Sequence, residues 1–275
     1  MEAEKFRMKL LTTVNDNINI LQTHNKDWTV KGFIDIYKNI YTISVDTKVV
    51  SKIMELMLFP IIHKFAVDND LKIELAEYQN HYPDITFICK DGTKYALDIK
   101  STYRTSDTTV NGFTLGAFTG YFRNRQSNKN ILYPYEQYSK HFVLGIIYTK
   151  QDGAIDEREI YTLEDIEDIL SVVTNIEFLL QEKYKIANTR PGSGNTKNIG
   201  GITNIKKLKE GEGPFSKLEI DIFDDYWMYY MTKDMMEEGK PPYKNLKEYI
   251  EYKKKSPNLS VEDVEEEDLI VEDEE

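Results

Sequence analysis

The sequence predicts an α/β fold, and three observations carry that reading. Ile85 to Cys89 and Thr93 to Lys100 are β-rich runs around Lys90-Asp91-Gly92, and Asp-Gly between alternating apolar runs is a strong hairpin signal. Residues 142–149, FVLGIIYT, form a near-continuous apolar run, the pattern of a buried central strand. Residues 1–23 and 47–67 instead keep apolar side chains at helical spacing.

Composition narrows the class. A chain of 275 residues with 12% aromatic content can bury a sizeable core. It has no apolar run of membrane-spanning length, and its N-terminus lacks a charged-apolar-small leader, which predicts a cytoplasmic protein. Cys89 is the only cysteine, so disulfides and cysteine-based zinc sites are excluded. The net charge of −12 is uneven: residues 262–275 hold ten Asp/Glu and no Lys or Arg, leaving −2 on residues 1–261. Such a body can still present a basic groove to nucleic acid, and residues 261–275 read as a solvated, disordered acidic tail after a main domain of residues 1–260.

In chain order, Phe6, Leu10, Leu11, Val14, Ile18 and Leu21 mark an amphipathic helix that breaks near Asn15-Asp16-Asn17. Residues 28–44 are rich in β-branched and aromatic residues, with a turn at Lys38-Asn39. So apolar a hairpin suits a cover over the core or a subunit interface, of which the interface is the reading taken. Asp46 is an N-cap for the next helix, which Pro60 kinks or ends. Glu55 interrupts its apolar run IMELMLF, either as part of a polar face or as a functional carboxylate. After the central hairpin, residues 101–109 read as a loop or short ribbon. Residues 113–131 interleave Arg123, Arg125 and Lys129 with Phe and Tyr, which suits a nucleic-acid backbone or one basic helix face. Residues 162–184 read as a helix, with Thr162 and Asp165 at capping-box spacing.

The hairpin carries the chemistry. Tyr95, Leu97 and Ile99 point to one face, so Asp98 and Lys100 share the other, with Asp84 at the mouth of the partner strand. Two carboxylates and an amine converging there call for a cation between them. Pro83-Asp84, thirteen residues, then Asp98-Ile99-Lys100 resembles the PD-(D/E)xK signature of Mg²⁺-dependent nucleases. Arg190 to Gly201, RPGSGNTKNIGG, is too glycine-rich for a regular element. As a linker it would be inert, but Asn195 suits adenine N6 and N7, and Thr196 suits a thymine methyl.

PGSGNTKNIG resembles the recognition loop of the EcoRV-type restriction endonucleases. QNHYPD, Asp98-Ile99-Lys100, FTLG, and SVDTK with Glu55 before Asp84 resemble the same family in the same order. The resemblance implies a restriction-endonuclease-like core: a mixed five-stranded sheet flanked by helices, with a U-shaped DNA-binding cleft in a homodimer. It implies that Asp84 and Asp98 ligate Mg²⁺, that Lys100 positions or activates water, and that Glu55 is an auxiliary carboxylate and ligand. Base contacts fall to the recognition loop, residues 190–201, through Gly192, Ser193, Gly194, Asn195 and Thr196. Gln79 and Asn80 lie at the minor groove, Asn198, Thr102 and Lys129 nearer the DNA backbone, and Thr47, Lys48 and Thr119 are further DNA-binding residues. Residues 28–44 become the dimerisation hairpin. The implied activity is type II cleavage of double-stranded DNA at GATATC, blunt and leaving 5′-phosphates, with a cognate DNA methyltransferase as functional partner.

Two departures stand out. The spacing between the aspartates is two residues shorter than in the family. A strict two-residue turn would set Asp84 opposite Ile99, so Lys90-Asp91-Gly92 is expected to be irregular, with an odd loop setting Asp84 opposite Asp98. The segment after Trp227 is poor in Arg. A repair or structure-specific nuclease of the same superfamily, or a catalytically inactive DNA-binding relative, fits the same residues.

Overall fold

In the computed structural model, which describes residues 1–76, 78, 81–151, 158–192, 197–218, 220–236 and 240–255, the chain opens with helix α1 (Ala3–Asp16). A single 3-10 turn (Ile18–Ile20) follows the break at Asn17. Strands β1 (Gly32–Ile34) and β2 (Ile40–Thr42) form the early hairpin, and helix α2 (Thr47–Asp68) comes next. The Asp46 side chain accepts from Lys48 N at 2.8 Å and Val49 N at 3.2 Å, capping α2 as expected. Pro60 lies inside the helix without ending it, because Ile61, Ile62, Phe65 and Ala66 keep its buried stripe.

Strands β3 (Lys72–Leu75), β4 (Ile85–Ile88) and β5 (Lys94–Tyr103) lead to β6 (Thr114–Ala117), β7 (Tyr138–Lys150), β8 (Ile160–Tyr161) and β9 (Val173–Glu182). A helical turn α3 (Lys183–Ile186), strands β10 (Ala187–Pro191) and β11 (Asn198–Gly201), and helices α4 (Ile205–Glu210), α5 (Ile220–Tyr229) and α6 (Leu246–Lys254) follow. The central sheet has the order β3-β4-β5-β7-β9, with β5 and β7 parallel and the other pairs antiparallel. It is the mixed five-stranded sheet that the family resemblance implies. Two three-stranded sheets, β1-β2-β8 and β10-β11-β6, flank it.

Alternation along β5, β7 and β9 feeds two cores. Tyr95, Leu97, Leu144, Ile146 and Leu180 face α1 and α2, where Phe6 packs on Phe87 at 4.9 Å between ring centroids. Ala96, Val143, Ile147 and Leu179 face the opposite way, toward Leu115, Ile199, Trp227 and Tyr249. Burial on both faces explains why FVLGIIYT shows no period of two.

Residues 162–184 correct the sequence reading. The Thr162–Asp165 capping box forms, but it caps only a 3-10 turn at Leu163–Asp165. Residues 173–182 are strand β9, paired along β7. A strand buried on both faces shows a mixed apolar run that a helical period also fits, and Asn175, at φ 57°, cannot belong to a right-handed helix. The polar run from Ser101 begins inside β5, and its loop is closed by an Arg104–Val110 bridge. Residues 113–131 form β6 and a 3-10 turn rather than a helix with a basic face. The acidic tail lies outside the described residues. No helix among those described is long and apolar enough to cross a membrane.

Candidate active site

The turn between β4 and β5 sets the site. Ile85 pairs with Leu97 and Ile88 with Lys94, so five residues, Cys89 to Thr93, make the connection. Cys89 N donates to Thr93 O, Gly92 N donates to Cys89 O, and Gly92 takes φ 85°, which glycine adopts without a Cβ clash. This is the odd loop expected from the spacing: continued by one residue, the register sets Asp84 opposite Asp98.

Three groups then converge. Lys100 Nζ lies 2.9 Å from Asp98 Oδ2 and 3.7 Å from Asp84 Oδ2, and the Ile99 amide donates to Asp84 Oδ2 at 2.7 Å. Asp98 is buried, whereas Asp84 is partly open to solvent. Burial and the Asp98 charge push the Asp84 carboxyl up to about 6, against the pull of Lys100 and the Ile99 amide. Burial also works to raise Asp98, but the Lys100 and Lys183 charges override it and hold that carboxyl below its ordinary range. Burial disfavours the Lys100 ammonium, yet Asp98 and Asp84 raise its pKa above that of an ordinary lysine. Lys100 is therefore a cation here, and Asp84 is the carboxylate in need of further positive charge.

Glu55 stands apart. Its carboxylate pairs with Lys52 on the same helix at 2.7 Å, and only its charge reaches Asp84 and Lys100. Among the described residues no three carboxylate, His or Cys side chains close on one point. The donor set on hand is thus Asp84 and Asp98, which suits Mg²⁺, an ion that keeps several waters and takes one or two carboxylates.

Two cavities meet at Lys100. One, of about 610 Å³, is lined by Asp84, Asp98, Tyr82, Thr119, Lys129 and Asn198. The other, of about 630 Å³, is lined by Thr47, Lys48, Lys52, Glu55, Thr102 and Lys150. Thr102 is buried there, and among the described residues its hydroxyl has no hydrogen-bond partner. Gly192 N donates to Asn198 O at 3.0 Å, tying the base of the glycine-rich loop to the first cavity. Gln79, Asn80, Ser193, Gly194, Asn195 and Thr196 lie outside the described residues.

Arg123 and Arg125 are spent on the scaffold instead of facing a ligand. Arg123 donates to Tyr230 O, and Arg125 pairs with half-buried Asp224 at 2.5 Å. Sequence reasoning missed the layer beneath the site. Tyr82 OH and His141 Nδ1 are 2.8 Å apart, Tyr135 stacks on His141 at 4.0 Å, and Lys183 lies over Tyr82. Burial, with the Lys183 and Arg125 charges, drives the His141 pKa well below its ordinary value, so the ring is neutral. Lys183 sits within the run read as a helix and His141 just before the run read as a core strand, and no local pattern marks them.

A central mixed sheet with Asp84 just before β4, beside Asp98 and Lys100 of β5, is the arrangement that the restriction-endonuclease-like class implies. A family model described as "Restriction endonuclease EcoRV" matches residues 24–254. The type II restriction enzyme EcoRV of Escherichia coli is 37% identical over 238 residues, covering 86% of this chain and 95% of the relative. Among solved structures, the NlaIV restriction endonuclease aligns with a TM-score of 0.39 and 13% identity, over 74% of this chain and 69% of that one, a level that decides nothing by itself. The chain belongs to the EcoRV family of type II restriction endonucleases, and is thus a site-specific deoxyribonuclease.

Proposed function

We propose that the protein is a homodimeric, Mg²⁺-dependent enzyme that cuts both strands of duplex DNA at GATATC, bluntly at the centre. The observation that carries the catalytic part is the convergence of Asp84, Asp98 and Lys100 at one cavity. The sequence of the cut rests on residues 192–196, which match the family's recognition loop.

Bound Mg²⁺ would supply charge for the phosphoryl and leaving 3′ oxygens and acidify a water. Asp84 and Asp98 would hold it, with the Ile99 amide fixing the orientation of Asp84. Lys100 has only donors to offer, so it bonds the attacking water or a phosphate oxygen and leaves metal binding to the carboxylates. In-line attack leaves a 5′-phosphate and a 3′-hydroxyl. Glu55 acts as an auxiliary carboxylate across Lys100. Thr47, Lys48 and Thr102 in one cavity, and Thr119, Lys129 and Asn198 in the other, meet the DNA backbone on either side of the cut.

Asn195 and Thr196 read the inner A·T pairs, Gly192, Ser193 and Gly194 approach the outer G·C pair, and Gln79 and Asn80 lie beneath a flexible central TA step. The β1–β2 hairpin pairs two copies. Its Phe33, Ile34, Ile36 and Tyr37 are exposed, and Ile36 keeps 88% of its surface. A methyltransferase modifying the same sequence is the functional partner. The test is to digest a plasmid carrying one GATATC and sequence both ends. Blunt ends at that site support the reading, and cuts elsewhere would reassign the specificity to residues outside the loop.

A further inference from the structure

Tyr121 is a polar group of the active-site cavity that the signature residues leave out. It stands in the 3-10 turn Gly120–Phe122 and lines the same cavity as Asp84, Asp98 and Lys100. Its ring stacks on Tyr82, with centroids 5.2 Å apart and planes 14° from parallel, and on Tyr135 at 6.3 Å. Two buried rings thus fix its plane.

Only 9% of Tyr121 is exposed, and a hydroxyl on so buried a side chain ordinarily finds a partner. Its neighbours do: the Tyr82 hydroxyl bonds His141 Nδ1 at 2.8 Å, and the Tyr138 hydroxyl bonds Thr86 at 2.9 Å. Among the described residues the Tyr121 hydroxyl has no such bond. A Cβ added at Gly116, another residue of the cavity wall, would lie 3.5 Å from it, so no side chain there covers the hydroxyl. A phenylalanine would stack on Tyr82 and Tyr135 equally well. The hydroxyl is therefore not explained by packing.

The reaction has a use for it. Burial, then the Asp98 and Asp84 charges, push the phenol's pKa up, so it keeps its proton and can donate. In the nuclease reading the two carboxylates hold Mg²⁺, and the anion that enters this cavity is a phosphate of the DNA. Negative charge grows on the phosphoryl oxygens as the bond breaks, and a donor fixed by stacked rings binds that charge without reorganising. We propose that Tyr121 is a further catalytic residue, whose hydroxyl donates a hydrogen bond to a non-bridging oxygen of the phosphate being cut.

This rests on the nuclease reading, so the experiment carries the wild type beside Tyr121→Phe, which removes one oxygen and keeps the ring. Single-turnover cleavage in Mg²⁺ of the duplex that the wild type cuts, binding of that duplex in Ca²⁺, and thermal midpoint are measured for both. Tyr121→Phe is expected to melt no lower than the wild type and to bind DNA as tightly in Ca²⁺. It should cut slower by about tenfold or more, the scale of a lost preorganised donor. Both proteins are then given duplexes with sulfur in place of one or the other non-bridging oxygen at the cut. Sulfur accepts a hydrogen bond poorly, so the difference between the proteins should shrink for one of the two diastereomers. Full-rate cleavage by Tyr121→Phe overturns the proposal. So does a difference that persists with both diastereomers, and so does a loss that tracks a lower melting point or weaker binding. A wild type that cuts no duplex in Mg²⁺ removes the nuclease reading and this role with it, whereas an active wild type beside an equally active Tyr121→Phe removes only the role.

Discussion

The Ile99 amide donates to Asp84 Oδ2 at 2.7 Å, so the strand that carries Asp98 and Lys100 also orients the carboxylate of its neighbour. A main-chain donor has little freedom to move, and it fixes Asp84 against the paired strand instead of against another flexible side chain. Asp84→Ala should therefore leave the fold intact and lower cleavage by at least about 10²–10³, the scale for losing a preorganised charge-stabilising group. Circular dichroism beside a cleavage assay checks this. A well-folded Asp84→Ala that cuts at the normal rate would refute the assignment.

The same carboxylate makes stability depend on pH and metal. Its pKa is about 6 in the folded chain against an ordinary 3.8, so the folded state binds more protons than the unfolded one between those values. Stability from this group is full below about pH 4 and declines as pH rises through about 6. A divalent cation that binds the ionised pair reverses that decline. Ca²⁺ should raise the melting point at pH 7.5 and raise it less at pH 5. Equal shifts at both values would show that the ion binds elsewhere.

Gly200 buttresses the glycine-rich loop. A Cβ there would meet Arg190 O at 2.9 Å and Gly192 N at 3.1 Å, both main-chain atoms. Gly200→Ala must displace the loop's base, at a cost of about 1–3 kcal/mol. Cleavage of the preferred site should fall while cleavage of altered sites falls less, which competition between two duplexes measures.

The β1–β2 hairpin tests the dimer. Ile36 is exposed, so Ile36→Asp should change protomer stability by no more than about 0.5 kcal/mol. If the hairpin joins two copies, the variant should sediment as a monomer where the wild type sediments as a dimer. An unchanged dimer would move the interface elsewhere.

What the sequence made legible follows from how local each signal is. The Asp-Gly turn, the Asp46 cap and the shared face of Asp98 and Lys100 depend on residues within a few positions, and all appear in the structure. The spacing of Asp84 and Asp98 even revealed the odd loop. Strand β9 was hidden because burial on both faces erases the period that separates strand from helix. Arg125 looked available because Asp224, its partner, is 99 residues away. His141 reaches the layer beneath the site only through sheet register, and Lys183 only through the turn after β9, which no short window of sequence contains.

Lys100 carries the central claim, that this trio hydrolyses DNA with a metal's help. Its removal leaves both carboxylates in place, so binding and chemistry separate. The decisive measurement is single-turnover cleavage in Mg²⁺ and duplex binding in Ca²⁺ for Lys100→Ala beside the wild type. The account predicts binding retained and cleavage reduced by about 10²–10³ or more. A Lys100→Ala protein that cuts at the wild-type rate would contradict it.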